Sequence, residues 1–210
     1  MSKIDEIKAQ LSSSKVADRK KGAKTIGKEL LKELGDDLWA AYLKQVNIAN
    51  SWEAQIMMIN SLGLIRYKPA KDNFYKICLE NQEHDMITCY AAMAYTRIMR
   101  TSDNDVSPVF ALFKFGGFSV INGALRGIAA DKLILQKEEI EKLISLVEKI
   151  PQKHEVGYSD LRIGLACACA GWDKSLVSGF LERCFTSPDK ELINVAEKAL
   201  KKKYSDINLI

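Results

Sequence analysis

Proline is scarce in this chain of 210 residues, with four prolines and twelve glycines. So few breakers and no long polar tract argue against a disordered or low-complexity chain away from its ends. Strand signals are also thin: alternating runs are few, and no hairpin dipeptide joins two β-branched stretches. No apolar run approaches the roughly 18 residues of a membrane span, because the longest are interrupted by Asn60, Arg97, Arg126 and Arg162. The first residues, Met1 to Lys8, are charged and amphipathic, without the apolar centre of a signal peptide. No membrane association and a cytoplasmic location are therefore expected. The five cysteines are an odd number, lie inside apolar helical patterns and fit a reducing compartment.

Catalytic constellations are missing as well. The two histidines, His84 and His154, are far apart, and His154-Glu155 does not continue into a zinc-binding H-E-x-x-H. Cys167 and Cys169 point to nearly opposite sides of a helix and cannot chelate one ion there. Gly116, Gly117, Gly123 and Gly127 match neither a dinucleotide nor a P-loop fingerprint. Ser12 to Lys15 matches S-x-x-K by spacing alone, and helix capping explains it better. The expectation is a non-enzymatic protein with no metal and no cofactor.

Helix formers fill the chain instead: Ala, Leu, Lys, Glu and Met dominate. Arg19-x-x-Gly22-Ala23-x-x-Ile26-Gly27 and Gln55-x-x-Met58-Ile59-x-x-Leu62-Gly63 are two copies of one pattern, and weaker copies end at Thr96, Gly127, Ala170 and Leu200. The end points are 36, 33, 31, 43 and 30 residues apart. A period in the thirties marks stacked helix pairs. Six pairs are predicted: 3–11 with 15–34, 37–48 with 51–66, 70–81 with 84–99, 106–114 with 118–130, 137–149 with 158–171, and 174–185 with 189–203. Ser107-Pro108 and Ser187-Pro188 read as a capping hydroxyl before a proline at the first helical position. Ser51 and Asp173 read as caps of the helices that follow them. Pro69 and Pro151 fall in breaks, and Gln152–Gly157 is the longest irregular stretch. The second helices of the middle pairs are apolar almost all round, so burial on several sides is expected. Ala23, Ala92, Gly123, Ala166 and Ala196 share one column and are assigned to close helix packing.

On these motifs the chain resembles the HEAT and armadillo-like repeat family, and the period extends the resemblance over nearly its full length. The family's turn aspartate is matched by Asp18 in the first repeat alone. The resemblance implies an all-α fold, a right-handed α-α superhelix (HEAT-like α-solenoid) of about six stacked helix pairs, forming a single domain over 1–210. It also implies a scaffold that binds through its concave face.

Three surfaces are candidates for binding. Net charge is +4, and the window from Ser14 to Leu34, with seven basic and three acidic residues, carries the surplus. Lys20, Lys24 and Lys28 make one stripe there, suited to phosphates or an acidic protein, unless it is an ordinary solvated face. The second surface is a polar row on the inner helices: Glu53, Asn60, Asp85, Thr88, Asn122, Arg126, Tyr158 and Arg162. Its mixed sign favours a protein partner over a polyanion. The third is the cluster Phe110, Phe113, Phe115 and Phe118, an exposed anchor or core filling at a tight turn. The function expected is an adaptor or inhibitor that grips another protein. Its most concrete form is an immunity-type protein that neutralises a toxin or nuclease by occlusion. The alternative is a nucleic-acid-binding protein resembling the HEAT-like alkyl-base DNA glycosylases, with Trp39, Trp52 and Trp172 available to stack on a base.

Overall fold

The computed structural model describes residues 2–48, 51–151 and 159–206. Among them there are twelve α-helices and no strand. The chain divides into two compact units, Met1–Met99 and Arg100–Ile210.

The first unit contains α1 (Lys3–Ser12), α2 (Val16–Glu29), α3 (Gly35–Gln45), α4 (Trp52–Leu64), α5 (Lys71–Glu80) and α6 (Met86–Met99). Ser2 starts α1 with a capping box, in which its hydroxyl accepts from Asp5 N and Asp5 accepts from Ser2 N. Pro69 falls in a 3₁₀ turn, Lys68–Ala70, that leads directly into α5. The inner helices are α2, α4 and α6: α4 packs on α2 and on α6. The repeat's small residues sit at these crossings. A Cβ on Gly27 would lie 2.6 Å from Ser61 Oγ, and one on Gly63 would lie 2.7 Å from Ala94 Cα. Ser61 also donates to Ala23 O at 2.7 Å, tying α4 to the backbone of α2.

The second unit contains α7 (Ser107–Phe113), α8 (Phe118–Ala130), α9 (Lys137–Glu148), α10 (Arg162–Ala168), α11 (Lys174–Cys184) and α12 (Lys190–Leu200). Here α10 packs on α8 and on α12. A Cβ on Gly164 would come within 3.0 Å of Arg126 N, so α8 and α10 approach at backbone distance. Every residue of α8 from Ser119 to Ala129 is buried, as its all-round apolar sequence requires. Gly116 and Gly117 have φ of 66° and 76°, a left-handed turn from α7 to α8 that favours glycine. All five residues of the small-residue column are buried.

The predicted pairs match these helices within a few residues. The expected helix over 158–171 is described only as α10 and a following 3₁₀ turn, Cys169–Gly171. The Gln152–Gly157 stretch lies outside the described residues. The caps are corrected in three places. Ser107 is the first residue of α7, and the acceptor for its N–H is Asp105 Oδ1 at 2.9 Å. Asp189, rather than Ser187, caps α12, accepting from Glu191 N and Leu192 N. Ser51 precedes α4, but its hydroxyl donates back to Ile48 O at 2.6 Å instead of accepting from the helix. In each case a neighbouring group competed for the serine or for the orphan N–H. An aspartate makes the stronger, charge-assisted cap. Asp173 caps α11 as expected, accepting from Ser175 N.

Candidate binding surface

The predicted polar row separates into different environments. Glu53 of α4 is exposed and ion-paired with Lys20 of α2. Asn60 of α4 is half-buried and accepts from Arg97 Nη1 of α6 at 2.7 Å. These pairs bridge successive inner helices. Lys24 and Lys28 are exposed further along α2. Asp85 acts as the start signal of α6, accepting from Thr88 N at 2.7 Å and from Thr88 Oγ1 at 2.6 Å.

The expectation that the whole row forms an exposed stripe is corrected at three positions. Thr88 is 1% exposed, Asn122 6% and Arg126 7%. The physical reason is local satisfaction: Thr88 turns its hydroxyl to Asp85, and Arg126 Nε donates to Asn122 Oδ1 one turn back at 3.0 Å. A polar group that finds a partner within its own helix can be buried without an orphan. Arg162 is half-buried and grips Asp160, Nη2 to Oδ2 at 2.6 Å. Tyr158 lies outside the described residues, as does His154.

The remaining candidates fall as follows. The four phenylalanines from Phe110 to Phe118 are each half-buried, and Lys142 Nζ stands 4.2 Å from the centre of the Phe110 ring. His84 is exposed at the start of α6 with φ of 55°. All five cysteines are buried free thiols. Burial pushes Cys78 and Cys184 up to about 12 and Cys169 well above the ordinary thiol value. Such thiols are not nucleophiles at neutral pH. The availability of three tryptophans for stacking is also corrected. Trp172 is buried with Nε1 donating to Leu133 O at 2.8 Å, and Trp39 is half-buried with its ring centre 5.3 Å from that of Tyr42. Trp52 is 47% exposed.

Sequence reasoning missed two features of the first unit. Leu43, Val46 and Ile48, at and beyond the end of α3, and Trp52, at the start of α4, are large apolar side chains open to solvent. Beside them a cavity of about 540 Å³ opens between α1, the start of α2 and α3. Arg19 forms part of its wall. Arg19 Nε donates to Gln45 Oε1 at 2.5 Å, and Nη1 donates to the carbonyls of Ser13 and Ser14 at 2.7 and 2.9 Å. The signal was present in the sequence: Arg19 shares its helix face with Gly22, Ala23 and Ile26, so an arginine stood in an apolar stripe. What converts that signal into a site is Gln45, 26 residues away, and no local pattern supplies it. Among the described residues no cluster of His, Cys, Asp and Glu could hold a metal ion, and no helix is long and apolar enough to cross a membrane. Comparison with family models, with curated proteins and with solved structures finds no match for this chain.

Proposed function

We propose that this chain is a non-enzymatic binding module that acts by gripping another protein, as an adaptor or as an inhibitor that works by occlusion. The observation that carries the reading is the apolar surface at the α3–α4 connection, where Leu43, Val46, Ile48 and Trp52 are all exposed. Isolated exposed apolar residues are ordinary, whereas exposed apolar residues gathered into one patch mark an interaction surface, and these four lie within ten residues of one another. An exposed tryptophan is the residue type most often found at the energetic centre of an interface. Lys44 lies on α3 beside Leu43, which favours a partner with acidic groups at its rim. An immunity-type role against a toxin or nuclease is one form of this reading.

The fold reading belongs with it. The order α2, α4, α6 in one unit and α8, α10, α12 in the other, each helix on the next, supports reading each unit as a short HEAT-like stack. The nucleic-acid reading loses support, since two of its three tryptophans are engaged in packing.

Affinity capture from the native host, with the unaltered chain and with Trp52→Ala side by side, tests the proposal. Recovery of one stoichiometric protein with the unaltered chain, and at least about tenfold less with the variant, is the expected result. Recovery of nucleic acid alone, or of the same protein undiminished by the substitution, overturns it.

A further inference from the structure

We propose that the cavity between α1, α2 and α3 receives an acidic segment of the partner protein, with a carboxylate meeting Arg19 and an aliphatic neighbour seated on the apolar wall. This inference deepens the protein-binding reading above and rests on it. Three cations line the cavity, Lys8, Arg19 and Lys44, against one acid, Asp37. That acid is already engaged by Lys8, with Nζ and Oδ2 3.1 Å apart. The surplus is positive, and a cavity with low-dielectric walls strengthens its pull on an anion.

Arg19 is the built part of the site. It is almost wholly buried, and its Nε and Nη1 are held by Gln45 Oε1 and by the carbonyls of Ser13 and Ser14. Its planar fork is thereby fixed before any ligand arrives, and Nη2 has no hydrogen bond to a described residue. A fixed guanidinium with spare N–H groups is matched to a carboxylate. Gln45 also lines the cavity and is fully buried; its Oε1 fixes Arg19, while its Nε2 is sealed from solvent without an acceptor. Leu11, Val16, Ala40, Ala41 and Ile48 supply the apolar wall. Ile48 also belongs to the exposed apolar surface at the α3–α4 connection, so cavity and surface are continuous.

The test uses the full chain and a fluorescein-labelled eight-residue peptide in which two leucines are flanked by acidic residues, with its lysine counterpart as control. Anisotropy gives affinity, and amide chemical shifts give the place. The expected result is saturable binding of the acidic peptide, weaker at high salt, with shifts at Ala40, Ala41, Lys44 and Gln45. Lys44→Glu and Ala40→Trp, at exposed positions on the cavity wall, are expected to weaken it by about tenfold or more. Lys174→Glu, the same charge change in the other unit, is expected to leave it unchanged. Should Lys44→Glu fail to fold, Ala40→Trp, which fills the cavity without changing charge, decides alone. No saturable binding up to millimolar peptide, equal binding of the lysine peptide, or shifts confined to other helices overturns the inference. A captured partner that depends on Trp52 but ignores both cavity variants also overturns it and leaves the binding-module reading standing. Peptide binding without any protein partner keeps the cavity site and removes that reading.

Discussion

In the first unit Lys20 and Asn60 each pair with a residue of the next inner helix, whereas in the second unit Arg126 and Arg162 each have a partner close by in sequence. Lys20 reaches from α2 to Glu53 of α4, and Asn60 of α4 accepts from Arg97 of α6. In the second unit Arg126 donates to Asn122 of its own helix, and Arg162 to Asp160 two residues away. The difference shows that a polar residue on an apolar helix is not by itself an exposed residue. Where its partner lies one turn away it can be swallowed with the helix. Where its partner lies on the next helix the pair forms a seam that keeps one edge in solvent, as Glu53 and Lys20 do. The first unit also holds the cavity and the exposed apolar surface. In the second unit α8 is buried from Ser119 to Ala129.

The largest expected effect concerns what the two units share. Cys78 and Cys89 in the first unit and Cys167, Cys169 and Cys184 in the second are all buried. In the native protein all five are expected to react with a thiol reagent roughly a hundredfold or more slowly than in denaturant. Mass spectrometry of partially labelled protein shows whether the two sets open together; fast native labelling of either set marks that unit as the looser one.

Next in size is helix spacing. Gly63→Val places side-chain atoms against the backbone of α6 and is expected to cost about 3 kcal/mol, the upper end of overpacking. Gly164→Val, against looser contacts in the second unit, is expected to cost less. Urea denaturation of the two variants measures the order, and a reversed order would place the tighter helix crossing in the second unit.

The seam itself is tested by double-mutant cycles. Asn60 with Arg97 is expected to couple by about 1.5 kcal/mol, as a half-buried hydrogen bond to a charged group does. Asn122 with Arg126, a buried hydrogen bond to a charged group one turn apart, is expected to couple more strongly, by about 2 kcal/mol. A weaker coupling for Asn122 with Arg126 than for Asn60 with Arg97 would show that reach between helices matters more than burial.

The smallest effect is a pH dependence in the second unit. Burial alone would raise the Asp105 carboxyl, but hydrogen bonds from Ser107 and Thr101 outweigh it and hold the group below the usual carboxylate range. A depressed folded value means that the stabilisation is present above the unfolded value, roughly pH 4, and is lost as pH falls through the folded one. Asp105→Asn is expected to cost less than about 1 kcal/mol at pH 7, because the site is mostly exposed to solvent screening. Melting curves of the two proteins should converge as the solution is acidified, and a gap that stays constant with pH would remove the carboxylate from the account.

Much of the fold was legible in the sequence for a simple reason. Helical periodicity and breakers act over a few residues, so the helices and the small-residue column could be placed from local pattern. The caps were less legible, since Ser107 and Ser187 each had an aspartate two residues away that took the N–H instead. The site was least legible. Thr88, Asn122 and Arg126 looked like an exposed row because polarity was visible and their satisfied partners were not. Arg19 and Gln45, which build the cavity, were visible only as a repeat residue and an ordinary helix end.

The sequence by itself determined that this protein is all-helical, which faces of its helices are apolar, and where small residues allow helices to touch. Those are properties of spacing and side-chain size along one segment. Tertiary structure alone decided which polar residues stay in water, which cations line a cavity, and that Arg19 is held by Gln45. Those outcomes depend on residues distant in the chain arriving within hydrogen-bond reach, and hydrogen bonds act over about 3 Å, far below what a periodic pattern can specify.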